Sequence, residues 1–382
     1  MNKLLLGKKE LVMLGVALLV VRTYMPFMKV PVPGIVNAMI WYTILASFGM
    51  AIIMSGEYEL GHFFAVFVIG VLGISNVVAG NWTVLVAFLL LYASKDISIK
   101  EIVGLMFKMS ATILIVDTIW YFLNFMVGRV SLTVTREIGG EIIYRHMFFF
   151  SHANVYSYCV LFTAFMFIYL YYETIDKRIM YAILSAIAAF IYVFPNSRTT
   201  ALVLILFIVF DIKKPIVIQN IIYFICANIY VLCAAFAAIV IVLMALDPSD
   251  VFPATVNKIL NGRLSMVVAA YLVYGIQPFG SDIIHEQLII DGIGYLTLYL
   301  DNFYGTILIK YGIFSAIIIS LCSIRTSWIL YKTKHFKELI LFSMVFIYGL
   351  SEGSALSIVP VFQWLFIRDS LFFDKKNHVY DI

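Results

Sequence analysis

The sequence predicts an all-α, polytopic membrane protein, and three observations predict it. Of its 382 residues, 63% are apolar and only 13% are charged, with a mean hydropathy of +1.01. A soluble domain runs near ~45–50% apolar and ~25% charged. The apolar residues fall in runs approaching the ~20 residues that cross a bilayer as a helix. The lysines gather in alternate turns between those runs.

About twelve candidate spans follow from the run lengths. They are roughly 10–28, 35–55, 60–75, 80–94, 101–126, 155–172, 178–194, 199–211, 216–246, 302–324, 338–351 and 355–372. This threading keeps both termini cytoplasmic. It also puts Lys95/Lys100, Lys177/Arg178, Lys213/Lys214, Arg325/Lys332/Lys334/Lys337 and Lys375/Lys376 inside, as the positive-inside rule asks. The N-terminus carries Lys3, Lys8 and Lys9 before its apolar run and lacks a small-residue cleavage site, so it reads as a retained first helix. No polar stretch exceeds a loop, so residues 1–382 read as a single integral membrane domain. The net charge of +4 reflects lysine-rich inner turns and is not a nucleic-acid signal. Cys159, Cys226, Cys233 and Cys322 lie in apolar segments without metal-ligand spacing and read as small core residues.

Two outer loops are long, at about 127–154 and 247–301. Within the second, 262–276 is too short to span and reads as an interfacial or re-entrant helix ending at Gln277-Pro278-Phe279-Gly280. Function concentrates in long loops on a rigid scaffold. These loops and the turn at 195–198 hold Arg129, Arg136, Arg145, Arg198 and Arg263 on the outer face, against the charge bias that orients the chain. A guanidinium fork fits phosphate oxygens bidentately, so a lipid-linked phosphate or pyrophosphate is the simplest reason for them.

Four constellations carry candidate chemistry. In Phe194-Pro195-Asn196-Ser197-Arg198-Thr199, a turn precedes a helix and Arg198 enters its first turn. A cation there opposes the helix dipole unless it shares a bound anion with the free backbone N–H groups. In Asn261-Gly262-Arg263, a turn pair again precedes a helix, making Arg198 and Arg263 a pyrophosphate clamp; the bland alternative for each is headgroup anchoring. Arg145-His146 and Ser151-His152-Ala153-Asn154 place a cation, two imidazoles and an amide at a helix mouth. His152 and Asn154 are read as sugar-binding, with a polar helix cap as the alternative. Asp301-Asn302, followed after nine residues by Gly312, offers a general base or a simple cap, with His285 and Glu286 as rival bases. Lys310 is a further buried cation, and Arg22 and Asp117 read as a structural pair. Tyr295, Tyr299 and Tyr304 are candidates for stacking on sugars.

Taken together, these stretches resemble the repeat-unit polymerases of bacterial O-antigen, capsule and exopolysaccharide synthesis (the Wzy type) and the related O-antigen ligases. The ligases show a His-Asn pair at the position of Asp301-Asn302, and the replacement of histidine by Asp301 favours a polymerase. The resemblance implies a membrane glycosyltransferase of the bacterial cytoplasmic membrane. It would move a growing glycan from undecaprenyl pyrophosphate onto a sugar hydroxyl of a lipid-linked repeat unit at the outer leaflet. Arg198 and Arg263 would bind the donor pyrophosphate, with Arg145 assisting or holding the acceptor's. Asp301 would be the base, and His152, Asn154, Asn302 and His285 would contact substrate. No cofactor or metal is implied. The partners would be undecaprenyl-pyrophosphate-linked oligosaccharides, membrane lipids and a chain-length regulator. Two other readings stay open: a ligase, and a polyprenyl-linked glycan transporter or flippase, which predicts charges along a midplane path.

Overall fold

The structure is a computed structural model that describes residues 7–55, 60–129, 133–138, 141–247, 250–260, 262–283, 287–290, 294–297 and 300–371. It is mostly helical. The first eleven helices are α1 (Lys8–Phe27), α2 (Gly34–Ile53), α3 (Leu60–Val78), α4 (Thr83–Ala93), α5 (Ile99–Met126), α6 (Ala153–Tyr171), α7 (Lys177–Val193), α8 (Arg198–Asp211), α9 (Ile216–Leu246), α10 (Val251–Ile259) and α11 (Arg263–Tyr274). The last four are α12 (Phe303–Gly305), α13 (Gly312–Lys332), α14 (Phe336–Gly349) and α15 (Arg368–Leu371). In hydrocarbon every backbone polar group must be satisfied within the protein, which is why apolar runs fold as helices.

Among the described residues, six helices are long and apolar enough to cross a membrane: α1, α2, α5, α6, α9 and α13. Most of the other expected spans are shorter. Helix α7 has 17 residues, α8 and α14 have 14 each, and α4 has 11. At ~1.5 Å per residue, α8 covers about 20 Å of a ~30 Å hydrocarbon layer. The region 302–324 was expected as one helix and is broken: α12 leads into a π-helical turn, Thr306–Lys310, and α13 begins at Gly312 with φ of +85°. The region 355–372 is likewise not one span. It folds as two 3-10 turns, Gly353–Leu356 and Phe362–Ile367, leading into α15, with the second turn wholly buried. Irregular backbone is tolerated at membrane depth where protein surrounds it.

The all-α expectation needs a second correction. Residues 133–138 and 141–146 pair as an antiparallel hairpin, β1 (Thr133–Ile138) with β2 (Glu141–His146). A smaller hairpin joins β3 (Gln287–Ile290) and β4 (Gly294–Thr297). The short helix expected over 262–276 is present as α11, packed against α9 and ended by Gly275 at φ of +64°.

Helix α14 lies at the centre. Its sequence FKELILFSMVFIYG is apolar around its circumference, as a helix enclosed on all sides requires, and it touches α6, α8, α9, α12 and α13. The perimeter carries exposed Ile35, Met39, Ile53, Phe67, Ile115, Val193, Ile216, Val217 and Leu321, as a lipid-facing surface would. Charge divides the molecule into two ends. Lys8 pairs with Asp96 and Lys9 with Glu101 at 2.8 Å, while Arg368 donates to the carbonyls of Ser94 and Ile97 at 2.8 and 2.6 Å. Asp211, with Tyr172 and Tyr181, belongs to the same lysine-rich end. Arg145, Arg198, Arg263, Asp301 and Glu352 gather at the other.

Candidate functional site

The arginine-bearing end is built from three chain turns and the end of α14. The turn Pro195-Asn196-Ser197 enters α8 with Asn196 at φ of +51°, a conformation asparagine tolerates better than most residues. Ser197 is the N-cap, but its hydroxyl bonds Thr200 Oγ1 at 2.7 Å, so no side chain caps the α8 backbone. The exposed guanidinium of Arg198 has no hydrogen bond or ion pair among the described residues.

Helix α11 starts differently. Gly262 adopts φ of +79°, and Asn257 Oδ1, reaching over from α10, accepts from the N–H groups of Leu264 and Ser265 at 3.1 Å each. The α11 terminus is thereby already capped, so an anion there would meet the Arg263 guanidinium rather than open backbone donors. That guanidinium is nearly buried. Its Nη2 donates to Glu352 Oε1 at 2.8 Å, and its Nη1 lies 3.7 Å from Asp301 Oδ2 and 3.4 Å from the Asp301 carbonyl. Glu352 follows the end of α14, in the turn before Gly353–Leu356. Burial pushes its carboxyl up from the ordinary 4.5 to about 7 and Asp301 adds to this, against the opposing pull of Arg263 and Arg145.

These groups meet at one cleft of about 810 Å³, within the ~300–1,000 Å³ usual for ligand sites. Asn154, Asn196, Arg198, Lys258, Arg263 and Glu352 supply its polar wall, and Leu202, Val203, Ile259, Leu260, Ile347 and Leu350 its apolar one. Three cations face one carboxylate whose charge is half-quenched near neutral pH. That balance suits a multiply charged anion attached to an apolar chain.

The remaining expected site residues take other places. Arg145 is buried behind the cleft; its Nε donates to the Pro195 carbonyl at 2.8 Å and its Nη2 to Asn154 Oδ1. It positions both the α8 turn and Asn154. His152 caps α6, with Nδ1 accepting from the Asn154 N–H at 3.1 Å, which is the plainer of its two readings. Asn302, read as substrate-binding, is fully buried with its amide engaged. Its Oδ1 accepts from Gly305 N–H at 2.9 Å and its Nδ2 donates to the Leu350 carbonyl at 2.8 Å. It ties the segment carrying Asp301 to the chain leading into Glu352. The helix cap expected of Asp301 thus belongs to Asn302, and the Asp301 carboxylate is half-exposed.

His285, Glu286, Asn261 and Tyr299 lie outside the described residues. Arg136 sits on β1 opposite Ile143, and Arg129 is exposed. Tyr304 does not face a sugar site: it packs on Tyr230 and its hydroxyl donates to the Phe346 carbonyl at 3.1 Å. The expected Arg22–Asp117 pair is absent; Arg22 lies over the Trp41 ring at 5.2 Å, and among the described residues no ion pair reaches Asp117.

The motifs at 278–280 and 302–312 form one unit. The N–H groups of Ile313 and Phe314 donate to the carbonyls of Gln277 and Pro278 at 3.1 Å each, and Ser281 N–H donates to the Lys310 carbonyl at 3.1 Å. Gly280 and Gly312 face each other so closely that a Cβ on Gly312 would lie 2.2 Å from Gly280 N, and one on Gly280 would lie 2.1 Å from Lys310 O. Both have positive φ. This interlock breaks the expected helix at Gly312.

Sequence reasoning missed Glu352 and Lys258. Glu352 is the sole acid between Glu338 and Asp369, a stretch that is otherwise mostly apolar. Lys258 is the sole lysine of 247–301, so the charge-bias argument used for the arginines applies to it equally. No protein-family model, curated protein or solved structure matches the chain. Among the described residues, no group of three His, Cys, Asp or Glu side chains is placed to hold a metal ion.

Proposed function

We propose that this protein is a membrane glycosyltransferase that polymerises lipid-linked oligosaccharide repeat units at the outer leaflet of the bacterial cytoplasmic membrane. One observation carries the reading: Arg198, Lys258 and Arg263 converge on a single cleft with an apolar wall, and Arg263 is flanked by two carboxylates. The cations hold the donor pyrophosphate, and the apolar wall takes the first isoprene units. Charge develops on the pyrophosphate as it departs, and fixed guanidinium donors stabilise it there.

The half-exposed Asp301 carboxylate takes the proton from the acceptor sugar hydroxyl. The hydroxyl oxygen bonds the anomeric carbon, the carbon–oxygen bond to pyrophosphate breaks, and undecaprenyl pyrophosphate leaves. Glu352 holds Arg263 in the empty site and yields it to the incoming phosphate. Asn154, fixed by Arg145 and His152, contacts the donor.

The test is an assay of the purified chain in lipid nanodiscs with a synthetic polyprenyl-pyrophosphate tetrasaccharide. Oligomers accompanied by one released polyprenyl pyrophosphate per bond formed are expected. Unchanged single units, or release without oligomers, would contradict a polymerase.

A further inference from the structure

A second cavity of about 580 Å³ adjoins the cleft across the Asp301–Arg263–Glu352 bridge. The second half of α1, Trp41 of α2, the turn between α3 and α4, the π-helical turn and residues 353–359 enclose it. Asp301 faces this cavity, whereas Arg263 and Glu352 face the cleft. The bridge therefore forms a shared wall.

Two cations line the second cavity, Arg22 and Lys310. No carboxylate lies within ion-pair distance of either among the described residues. Asp301 is the acid in the cavity's lining, and Asp282, beside Gly80 outside it, acts on Lys310 through charge alone. Arg22 Nε is buried without a hydrogen-bond partner among the described residues, and its guanidinium is steadied only by the face of Trp41. A cation inside an apolar helix is costly, and such residues mark ligand paths. The Lys310 backbone is fixed by the Gly280–Gly312 interlock, through its carbonyl's bond from Ser281 N–H. Its π-helical turn is a backbone form that recurs at functional sites. Trp82 and Tyr311 add aromatic faces.

We propose that this cavity is a second binding site for a phosphate-bearing glycolipid, with the phosphates between Arg22 and Lys310 and the sugar directed to Asp301. Naming that lipid the acceptor rests on the transferase reading; the binding of phosphate between these two cations does not. The arrangement supplies Asp301 with a hydroxyl from one side and Arg263 with a leaving group from the other.

Native mass spectrometry of the full chain, with farnesyl pyrophosphate as probe, tests it. Two bound molecules are expected for the wild type. Arg22→Gln with Lys310→Gln should lose one, and Arg198→Gln with Arg263→Gln should lose the other. Lys310→Gln alone, a near-isosteric change at a partly buried position, reads the same site if the double variant fails to fold, and should weaken the second binding about tenfold, or ~1.4 kcal/mol. A single molecule on the wild type, or two retained by both cavity variants, would overturn the proposal. Displacement of the second molecule by phosphatidylglycerol would assign the site to membrane headgroups and overturn the glycolipid assignment. A transferase that fails the polymer assay yet binds two probes would separate the failure of the activity reading from that of this site.

Discussion

Arg263 and Glu352 meet at 2.8 Å, joining the start of α11 to the end of α14 across 89 residues of sequence. The pair is the hinge of the site's electrostatics, since the same guanidinium also faces Asp301 at 3.7 Å. Glu352 controls how much of Arg263 is offered to an anion. With its carboxyl raised to about 7, it surrenders its charge near neutrality.

Anion affinity should therefore rise as pH falls through about 7, where Glu352 takes up a proton and frees Arg263. Glu352→Gln should bind a pyrophosphate diester as the wild type does at low pH, with no dependence across that range. The diester keeps its own charge there, so fluorescence titration reports the protein alone. A wild-type affinity that is flat with pH would contradict the role of Glu352. The stability consequence has a fixed sign. Between pH 4.5 and about 7 the folded chain holds a proton that the unfolded chain has released. The contribution of Glu352 to stability is thus greatest below that window and falls as pH rises through it. The Tm of the wild type should fall relative to Glu352→Gln over the same interval.

Arg198 and Arg263 should separate stability from activity. Arg198 is exposed and makes no bond among the described residues, so Arg198→Ala should change stability by less than ~0.5 kcal/mol. Arg263→Ala should cost about 1–3 kcal/mol, limited because Glu352 can protonate when its partner is gone. Both should slow chain extension by about 10²-fold or more while leaving membrane insertion intact. Thermal melts beside oligomer yields check this.

Arg145 should behave as a buried positioning group. Arg145→Lys loses the Nε bond to Pro195 and the single Nη2 bond to Asn154 Oδ1, at about 1.5–3 kcal/mol per charged bond. A lowered Tm should accompany the loss of activity, and combining it with Asn154→Ala should cost less than the sum. Full additivity would mean that the two side chains do not act together.

Gly312→Ala should disturb folding. The strained φ alone costs about 1–2 kcal/mol, and the new Cβ would strike the backbone of 278–280. Gly104→Ala, where nothing lies within 4 Å and the backbone is helical, is the matched control and should be neutral or slightly stabilising. Yield of folded protein by size-exclusion chromatography distinguishes them.

Much of the fold was legible in the sequence. The runs at 10–28, 35–55, 101–126 and 216–246 became α1, α2, α5 and α9, each within two residues at either end, because each is long, apolar and bounded by Pro, Gly or charge. The short elements were harder. Run length cannot separate a buried short helix such as α14 from a span, nor foresee that 355–372 breaks into 3-10 turns. The β1–β2 hairpin had a readable signal: Thr133-Val134-Thr135 and Ile142-Ile143 flank Gly139-Gly140, a hairpin pattern. That Arg198 and Arg263 lie at the same end, lining one cleft, was legible because both defy the charge bias. Glu352 was not sought because it sits in an apolar run, and the capping role of Asn302 was not foreseen because a sequence does not show which of two adjacent side chains serves as the N-cap.

The most direct measurement is the size distribution of undecaprenyl-linked glycans in cells lacking this protein, complemented with wild type or Arg198→Ala. Single repeat units are expected in the null strain, long chains with wild type, and single units with Arg198→Ala. Long lipid-linked chains persisting in the null strain would contradict it and favour the ligase or transporter readings.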